Sequence, residues 1–307
     1  MTIPSHDLAV GVVLVTHNRP TLMRRALASI LDQDYVGTID VVVVFDRTSP
    51  DHSLELSEPH RRVRVMANDR TSGLAGGRNT GVLALDTDLV GFCDDDDVWL
   101  AGKLKAQVRR LASTPDAEFV TTAMRVDCDD VLTIRRANTN EVTISHMARS
   151  RMAMLHSSSF LFRRSAMLNG FGLVDETLPR SMAEDWDLLL RAARRRPILH
   201  VDEPLIEVLW GQTSYFSDAW RDKNAAHSWL LENHPEIGRD PVGAGLQYSK
   251  LAFGHAVLGE RRTALRYARQ AIRSNWKEPR TVLALCVTAG VPGDWIQHQL
   301  NRRGRGI

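Results

Sequence analysis

A chain of 307 residues, 43% of them hydrophobic, is long enough for one sizeable α/β domain with an appendage, or for two modest domains. A formal charge of +2, with 25% charged residues, excludes the global basic field of a nucleic-acid binder. Cys93, Cys128 and Cys286 are odd in number, far apart and without metal-ligand spacing, which fits a reducing, cytoplasmic setting. His6 and Asp7 precede the first apolar run and the apolar stretch near 282–291 is short, so neither secretion nor a transmembrane anchor is expected.

In the first third, residues 10–15, 41–45, 63–66 and 89–92 are near-continuous runs of Val, Leu and other apolar residues. Without polar alternation they predict strands buried on both faces, as in a parallel sheet covered by helices. Between the first two, Leu22, Met23, Ala26, Leu27, Ile30 and Leu31 recur at helical spacing behind Pro20, a residue suited to a first turn. The strands end in polar loops: Thr16, His17, Asn18, Arg19 and Pro20; then Asp46, Arg47, Thr48 and Ser49; then 68–79; then Asp94, Asp95, Asp96 and Asp97. Ligands of open α/β sheets bind outside the carboxyl ends of the strands, so these loops are expected to share one crevice.

The middle, about 117–209, reads as short strands mixed with helices, including strands at 158–163 and 198–201 and a helix over 183–195. From 217 onward the pattern is helical, with segments at 246–258 and 263–273 broken at Gly259. That pair resembles one tetratricopeptide-type hairpin, and a single such unit is an appendage, since solenoids need several stacked neighbours. The expected domains are therefore 1–215, with a nucleotide-binding half at about 8–115 and an acceptor half at about 116–215, followed by a helical region over 216–307.

Four adjacent carboxylates after a buried strand repel one another unless a cation compensates them. Carboxylates completed by water and substrate phosphates are the usual holders of Mg2+ or Mn2+. The plainer alternative is that Asp96 or Asp97 caps a following helix. Phe92, Cys93, Asp94, Asp95, Asp96, Asp97, Val98 and Trp99, with Lys103 and Leu104 beyond, resemble the Asp-x-Asp metal motif of family 2 glycosyltransferases. Those enzymes have the GT-A fold, a Rossmann-like mixed sheet flanked by helices. Thr16, Asn18, Arg19 and Pro20 look like that family's first donor loop, Asp46 like its base-contacting aspartate, and Gly73 to Gly81, with Arg78 and Asn79, like its third loop. Glu184 and Asp185 resemble its Glu-Asp motif, whose aspartate serves as base. The departures are Phe45 for a first aspartate, Arg47 for a glycine, and Thr71 for an asparagine.

The resemblance implies metal-assisted, inverting transfer from a nucleotide-sugar donor to an acceptor hydroxyl on a glycan, a lipid-linked glycan or a small molecule. It implies Asp96 and Asp94 as metal ligands, Asp94 and Asp95 near the donor, and Asp185 as general base beside Glu184. Arg78 is expected on a phosphate. Trp186, Trp210 and His156 are candidates for the acceptor side, although a tryptophan between apolar neighbours is more often core. The arginine runs at 194–196 and 302–305 are solvated faces or contacts with anionic lipid, which would place the protein at the inner face of the membrane. Two rival readings are a catalytically weak scaffold and a nucleotidyltransferase. The second would call for a glycine-rich, lysine-containing phosphate loop where this chain has Thr16 to Pro20.

Overall fold

The structure is a computed structural model that describes residues 8–128, 131–209 and 219–301. Among these, the strands are β1 (Val10–Thr16), β2 (Ile39–Phe45), β3 (Leu56–Glu58), β4 (Arg61–Ala67), β5 (Leu89–Asp94), β6 (Val98–Trp99), β7 (Phe119–Cys128), β8 (Val131–Arg135), β9 (Glu141–Val142), β10 (Leu161–Arg163) and β11 (Ile198–Leu209). They form one mixed sheet in the order β3-β4-β2-β1-β5-β10-β7-β11-β6, with β8 on β7 and β9 on β11. The half formed by β4, β2, β1 and β5 is parallel, and every residue of β1 and β2 is buried. This is the two-sided burial that their unbroken apolar runs require. Beyond β5 the sheet turns mixed, because β10 runs antiparallel to both β5 and β7.

The helices are α1 (Pro20–Leu31), α2 (Leu74–Ala84), α3 (Lys103–Ala112), α4 (Ile144–Arg149), α5 (Arg164–Ala166), α6 (Glu184–Arg195), α7 (Trp220–Asn233), α8 (Pro235–Arg239), α9 (Pro241–Val257), α10 (Arg261–Ser274), α11 (Pro279–Thr288) and α12 (Gly293–Asn301). Helix α2 lies close upon β1, and glycines make that approach possible. A Cβ on Gly77 would stand 2.6 Å from Val15 Cγ1, and one on Gly81 would stand 2.3 Å from Val13 Cγ1.

Two elements differ from the sequence pattern. Strand β11 continues to Leu209, well past the expected end at 201, through register shifts around Pro204 that accommodate the missing N–H of proline. The segment expected as a strand from 158 opens as a 3-10 turn, Ser157–Ser159, where Ser159 Oγ donates to the His156 carbonyl at 2.6 Å. Short serine side chains that bond nearby backbone favour such turns.

The chain divides into two compact units. The first contains the sheet with α1, α2, α3, α5 and α6, and its core includes Val12, Leu14, Met23, Ile30, Val41, Val43, Leu104 and Val120. The second contains α4 and α7 to α12, and its core gathers Trp220, Phe253, Ala256, Ala264, Ala268 and Ala284. The expected division at 215 leaves out two earlier segments, Ile144–Arg151 and Leu178–Ala183, which belong with the helical unit. Within that unit Gly259, at φ +76, turns α9 into α10, and the two helices pack together. No described helix is long and apolar enough to cross a membrane.

Candidate active site

Loops at the carboxyl ends of β1, β2 and β5 meet as the parallel topology dictates. Thr16, the last residue of β1, donates through Oγ1 to Asp95 Oδ2 at 2.8 Å. Arg19, at the start of α1, reaches Asp95 Oδ1 at 3.2 Å and Asp96 Oδ2 at 2.6 Å. Pro20 is the first residue of α1, and Asn18 adopts φ +54, which a short polar side chain tolerates. At the end of β2, Asp46 is 2% exposed and accepts from Asn68 Nδ2 at 2.8 Å, the Gly73 amide at 3.0 Å and Arg47 Nε at 2.8 Å. Burial opposes its charge, but those hydrogen bonds outweigh burial and hold its carboxyl below the usual range. Arg47, which stands where the resembled family commonly has glycine, holds φ +53.

The acidic loop is tied to the second half of the unit by Arg78. Its guanidinium, 2% exposed, donates from Nη2 to Asp94 Oδ1 at 2.7 Å and from Nη1 to Glu184 Oε1 at 2.6 Å. The guanidinium carbon Cζ itself lies over Phe92, 5.0 Å from the ring centroid. One buried side chain thus joins the end of β5 to the first turn of α6, which carries Glu184, Asp185 and Asp187. Acidic residues in a helix's first turn are favoured by its dipole. On the other side of the loop, Ser157 Oγ donates to Asp94 Oδ2 at 2.9 Å, Ser158 Oγ donates to Asp97 Oδ2, and His156 Nδ1 lies 3.2 Å from Asp97 Oδ2.

Charge in this cluster is unbalanced. Among the described residues, Asp94, Asp95, Asp96, Asp97, Glu184 and Asp185 are offset by Arg19, Arg78 and His156. Burial, and then repulsion from Asp97, Asp94 and Asp95, pushes Asp96 up to about 6. Burial similarly lifts Glu184 to about 7, with Asp185 and Asp94 adding to it against the pull of Arg78. His156 moves the other way for a cation: burial opposes its charge, but Asp97 and Asp94 raise it to about 9. Lys103 adds little, because burial pulls its ammonium down to about 7 over the Trp99 ring, 3.6 Å from the centroid.

An excess of carboxylates of this kind fits a divalent cation. Asp94, Asp97 and His156 each offer a ligand atom within 4.8 Å of the other two. Asp94, Asp96 and Asp97 all already have protein partners, but Asp97 is 2% exposed, whereas Asp94 and Asp96 are 21% and 32% exposed. A cation that also contacts a substrate's phosphates needs open coordination positions, which favours the more exposed pair.

Several residues singled out from the sequence lie elsewhere. Arg78 has both ends of its guanidinium engaged by carboxylates, so the expected phosphate contact is replaced by a buried tie. Asn79 is turned from the crevice: it donates to the Val174 carbonyl and to Glu176 Oε1 and accepts from the Val174 amide, holding the 174–176 segment. Trp186 is 1% exposed, inside the core, so no sugar face can stack on it, because α6 buries that side against the sheet unit. His156 joins the acidic cluster. Trp210 and the arginines at 302–305 lie outside the described residues. Sequence reasoning took Asp97 only as part of the acidic run or as a helix cap, and missed Ser157, Ser158 and Glu176 as members of the site's framework. Burial opposes the charge of Glu176, yet bonds from Asn79, Arg70 and Thr71 bring its carboxyl down to about 2. The serines beside His156 were the one visible signal; Glu176 had none, since its partners lie 97 and 106 residues away.

Comparisons with known proteins bear on the family and the fold. The model of glycosyl transferase family 2 matches residues 11–171, just over half of the chain. An Escherichia coli beta-1,3-glucosyltransferase, WfgD, named for UDP-Glc and alpha-D-GlcNAc-diphosphoundecaprenol, is 29% identical over 33% of this chain and 40% of its own length. The succinoglycan biosynthesis protein ExoO of Rhizobium meliloti is 28% identical over 61% of this chain and 52% of its own. The chain thus spans about half or less of the length of these relatives. Among solved structures, S. aureus TarS 1-349 in complex with UDP-GlcNAc has a TM-score of 0.61 at 17% identity, covering 87% of this chain and 81% of that one. The mannosyltransferase PcManGT of Pyrobaculum calidifontis, in complex with GDP-Man and Mn2+, has a TM-score of 0.57 at 17% identity, covering 94% and 88%. These likenesses give the sheet unit the GT-A fold, and the match over residues 11–171 shows that the chain belongs to glycosyl transferase family 2.

Proposed function

We propose that the chain is a glycosyltransferase that moves a sugar from a nucleoside diphosphate donor to an acceptor hydroxyl with inversion at the anomeric carbon. The observation that carries the reading is the Asp94–Arg78–Glu184 tie. It holds the acidic loop and the start of α6 at fixed separation, as a reaction needs when one group stabilises the leaving diphosphate and another takes a proton from the acceptor. Asp46, kept ionised and oriented by three donors, accepts a hydrogen bond from the base. Thr16, Asn18, Arg19 and Pro20 border the same crevice, and Asp95 is steadied by Thr16 and Arg19. A divalent cation, Mn2+ or Mg2+, held by Asp94 and Asp96 would neutralise charge developing on the diphosphate. Asp185, one residue beyond the anchored Glu184, accepts the proton of the attacking hydroxyl.

The UDP-Glc, UDP-GlcNAc and GDP-Man of the similar proteins support a UDP- or GDP-linked donor, and WfgD's name supports an acceptor carried on a lipid diphosphate. We accordingly place the reaction in the cytoplasm at the inner face of the membrane.

A thermal-shift screen of nucleotide sugars with Mn2+ identifies the donor, since a ligand bound only by the folded state raises its midpoint. With that donor and an acceptor, Asp185→Asn is expected to bind donor normally and to lose about a hundredfold to ten-thousandfold in turnover. Asp96→Asn is expected to lose the Mn2+-dependent part of donor affinity in titration calorimetry. Near-normal turnover by Asp185→Asn removes it as the base, and equal donor affinity with Mn2+, with chelator and in Asp96→Asn removes the metal assignment.

A further inference from the structure

Helix α10 of the helical unit leaves two large apolar residues exposed. The side it packs inward carries Ala264, Ala268 and Ala271 with Tyr267, while Leu265 and Ile272 are 43% and 46% exposed. Exposing Leu265 and Ile272 costs apolar hydration that a monomer in water does not recover. Leu265 and Ile272 are seven residues apart and so lie one above the other on the helix. Arg262, Arg266, Arg269 and Arg273 are exposed and run alongside them. Just past the helix, Trp276 is 76% exposed, with Lys277 Nζ 5.4 Å from its ring centroid. From 261 to 277 the sequence holds five arginines and one lysine and no acidic residue. Arg262, Arg269 and Arg273 have no carboxylate partner among the described residues.

We propose that this face of α10, continued by Trp276 and Lys277, docks the protein on an anionic lipid surface. A helix that lies in the headgroup region is expected to present an apolar strip flanked by basic residues, with tryptophan at the boundary between water and acyl chains. The arginine stems reach along the apolar strip while their heads meet lipid phosphates. The absence of acidic residues between 261 and 277 leaves nothing on this stretch to repel such a surface. An acidic protein or polysaccharide would also attract the arginines. It would not account for Leu265, Ile272 and Trp276 standing in water beside them, and this favours lipid. The inference stands on the surface of α10 and does not depend on the transfer chemistry.

The test uses the full chain in co-sedimentation with vesicles of phosphatidylglycerol and phosphatidylcholine, and with vesicles of phosphatidylcholine alone. Binding is expected to the anionic vesicles only and to weaken with salt. Arg269→Glu with Arg273→Glu is expected to reduce partitioning at least about tenfold. Leu265→Ser with Ile272→Ser, and separately Trp276→Ala, is expected to reduce it several-fold, while circular dichroism and nucleotide affinity stay at the parent values and show that the fold persists. No sedimentation with anionic vesicles overturns the proposal, as does equal binding to neutral ones. Loss through the arginines with none through Leu265, Ile272 or Trp276 also overturns it, and assigns the face to a soluble polyanion. The nucleotide measurement separates this result from any failure of the proposed reaction, which rests on the other unit.

Discussion

Replacing Arg78 tests whether the site is held together as described. Its guanidinium is 2% exposed and makes one bond to Asp94 at 2.7 Å and one to Glu184 at 2.6 Å. Arg78→Met keeps much of the volume but leaves two carboxyls facing each other without a counter-charge. Breaking a buried ion pair from one side costs roughly 3–5 kcal/mol. Arg78→Lys keeps the charge but only one contact, because an ammonium lacks the planar fork. It is expected to cost about 1.5–3 kcal/mol, the worth of one hydrogen bond between charged groups. Part of the Arg78→Met penalty is repulsion between Asp94 and Glu184, so adding Glu184→Gln is expected to return about 1–2 kcal/mol, within the usual range for coupled neighbours. Urea titration at pH 7.5 in chelator, followed by tryptophan fluorescence, measures all four proteins; the midpoint is expected to fall while the slope stays constant. If Arg78→Met and Arg78→Lys both lie within about 0.5 kcal/mol of the parent, the range of an ordinary surface change, the tie does not hold the site.

Asp46→Ala is expected to weaken affinity for the free nucleoside diphosphate about tenfold or more, the loss of a hydrogen bond to a charged acceptor, as read by calorimetry. An unchanged dissociation constant moves the base elsewhere. His156 holds its proton to about 9 in the folded protein against 6.5 ordinarily, so its stabilisation is complete below about 6.5 and is lost as pH rises through 9. Asp96, raised to about 6, and Glu184, raised to about 7, act in the same direction at lower pH, since the folded state again holds more protons. The unfolding free energy without metal is therefore expected to decline from pH 6.5 to 9, by up to about 3 kcal/mol in the His156 contribution, which is read as a falling melting temperature, and His156→Gln is expected to flatten that decline. Gly76→Ala is expected to lower the melting temperature by several degrees or prevent folding, because the added Cβ would stand 1.9 Å from the Thr71 carbonyl oxygen, a backbone atom that cannot swing aside.

The parallel half of the sheet and α1 were legible in the sequence, because burial on both faces leaves an unbroken apolar run and a proline marks the first turn. The loops at the carboxyl ends of β1, β2 and β5, and the acidic first turn of α6, were legible for a related reason: a site at strand ends puts its chemistry in short contiguous stretches. The long β11 was hidden by Pro204 and its polar neighbours, which look like a turn until a bulge absorbs them. Trp186 had the composition of a sugar platform, and only packing turned it into core. The partnerships inside the site were equally beyond local pattern. Thr16 meets Asp95 across 79 residues, Ser158 meets Asp97 across 61, and Arg78 meets Glu184 across 106. Local sequence determined which residue types arrive at the crevice. Only the tertiary structure decided that Arg78 ties carboxylates instead of facing phosphate, because a buried guanidinium is held by whichever opposite charges the fold brings within hydrogen-bond reach.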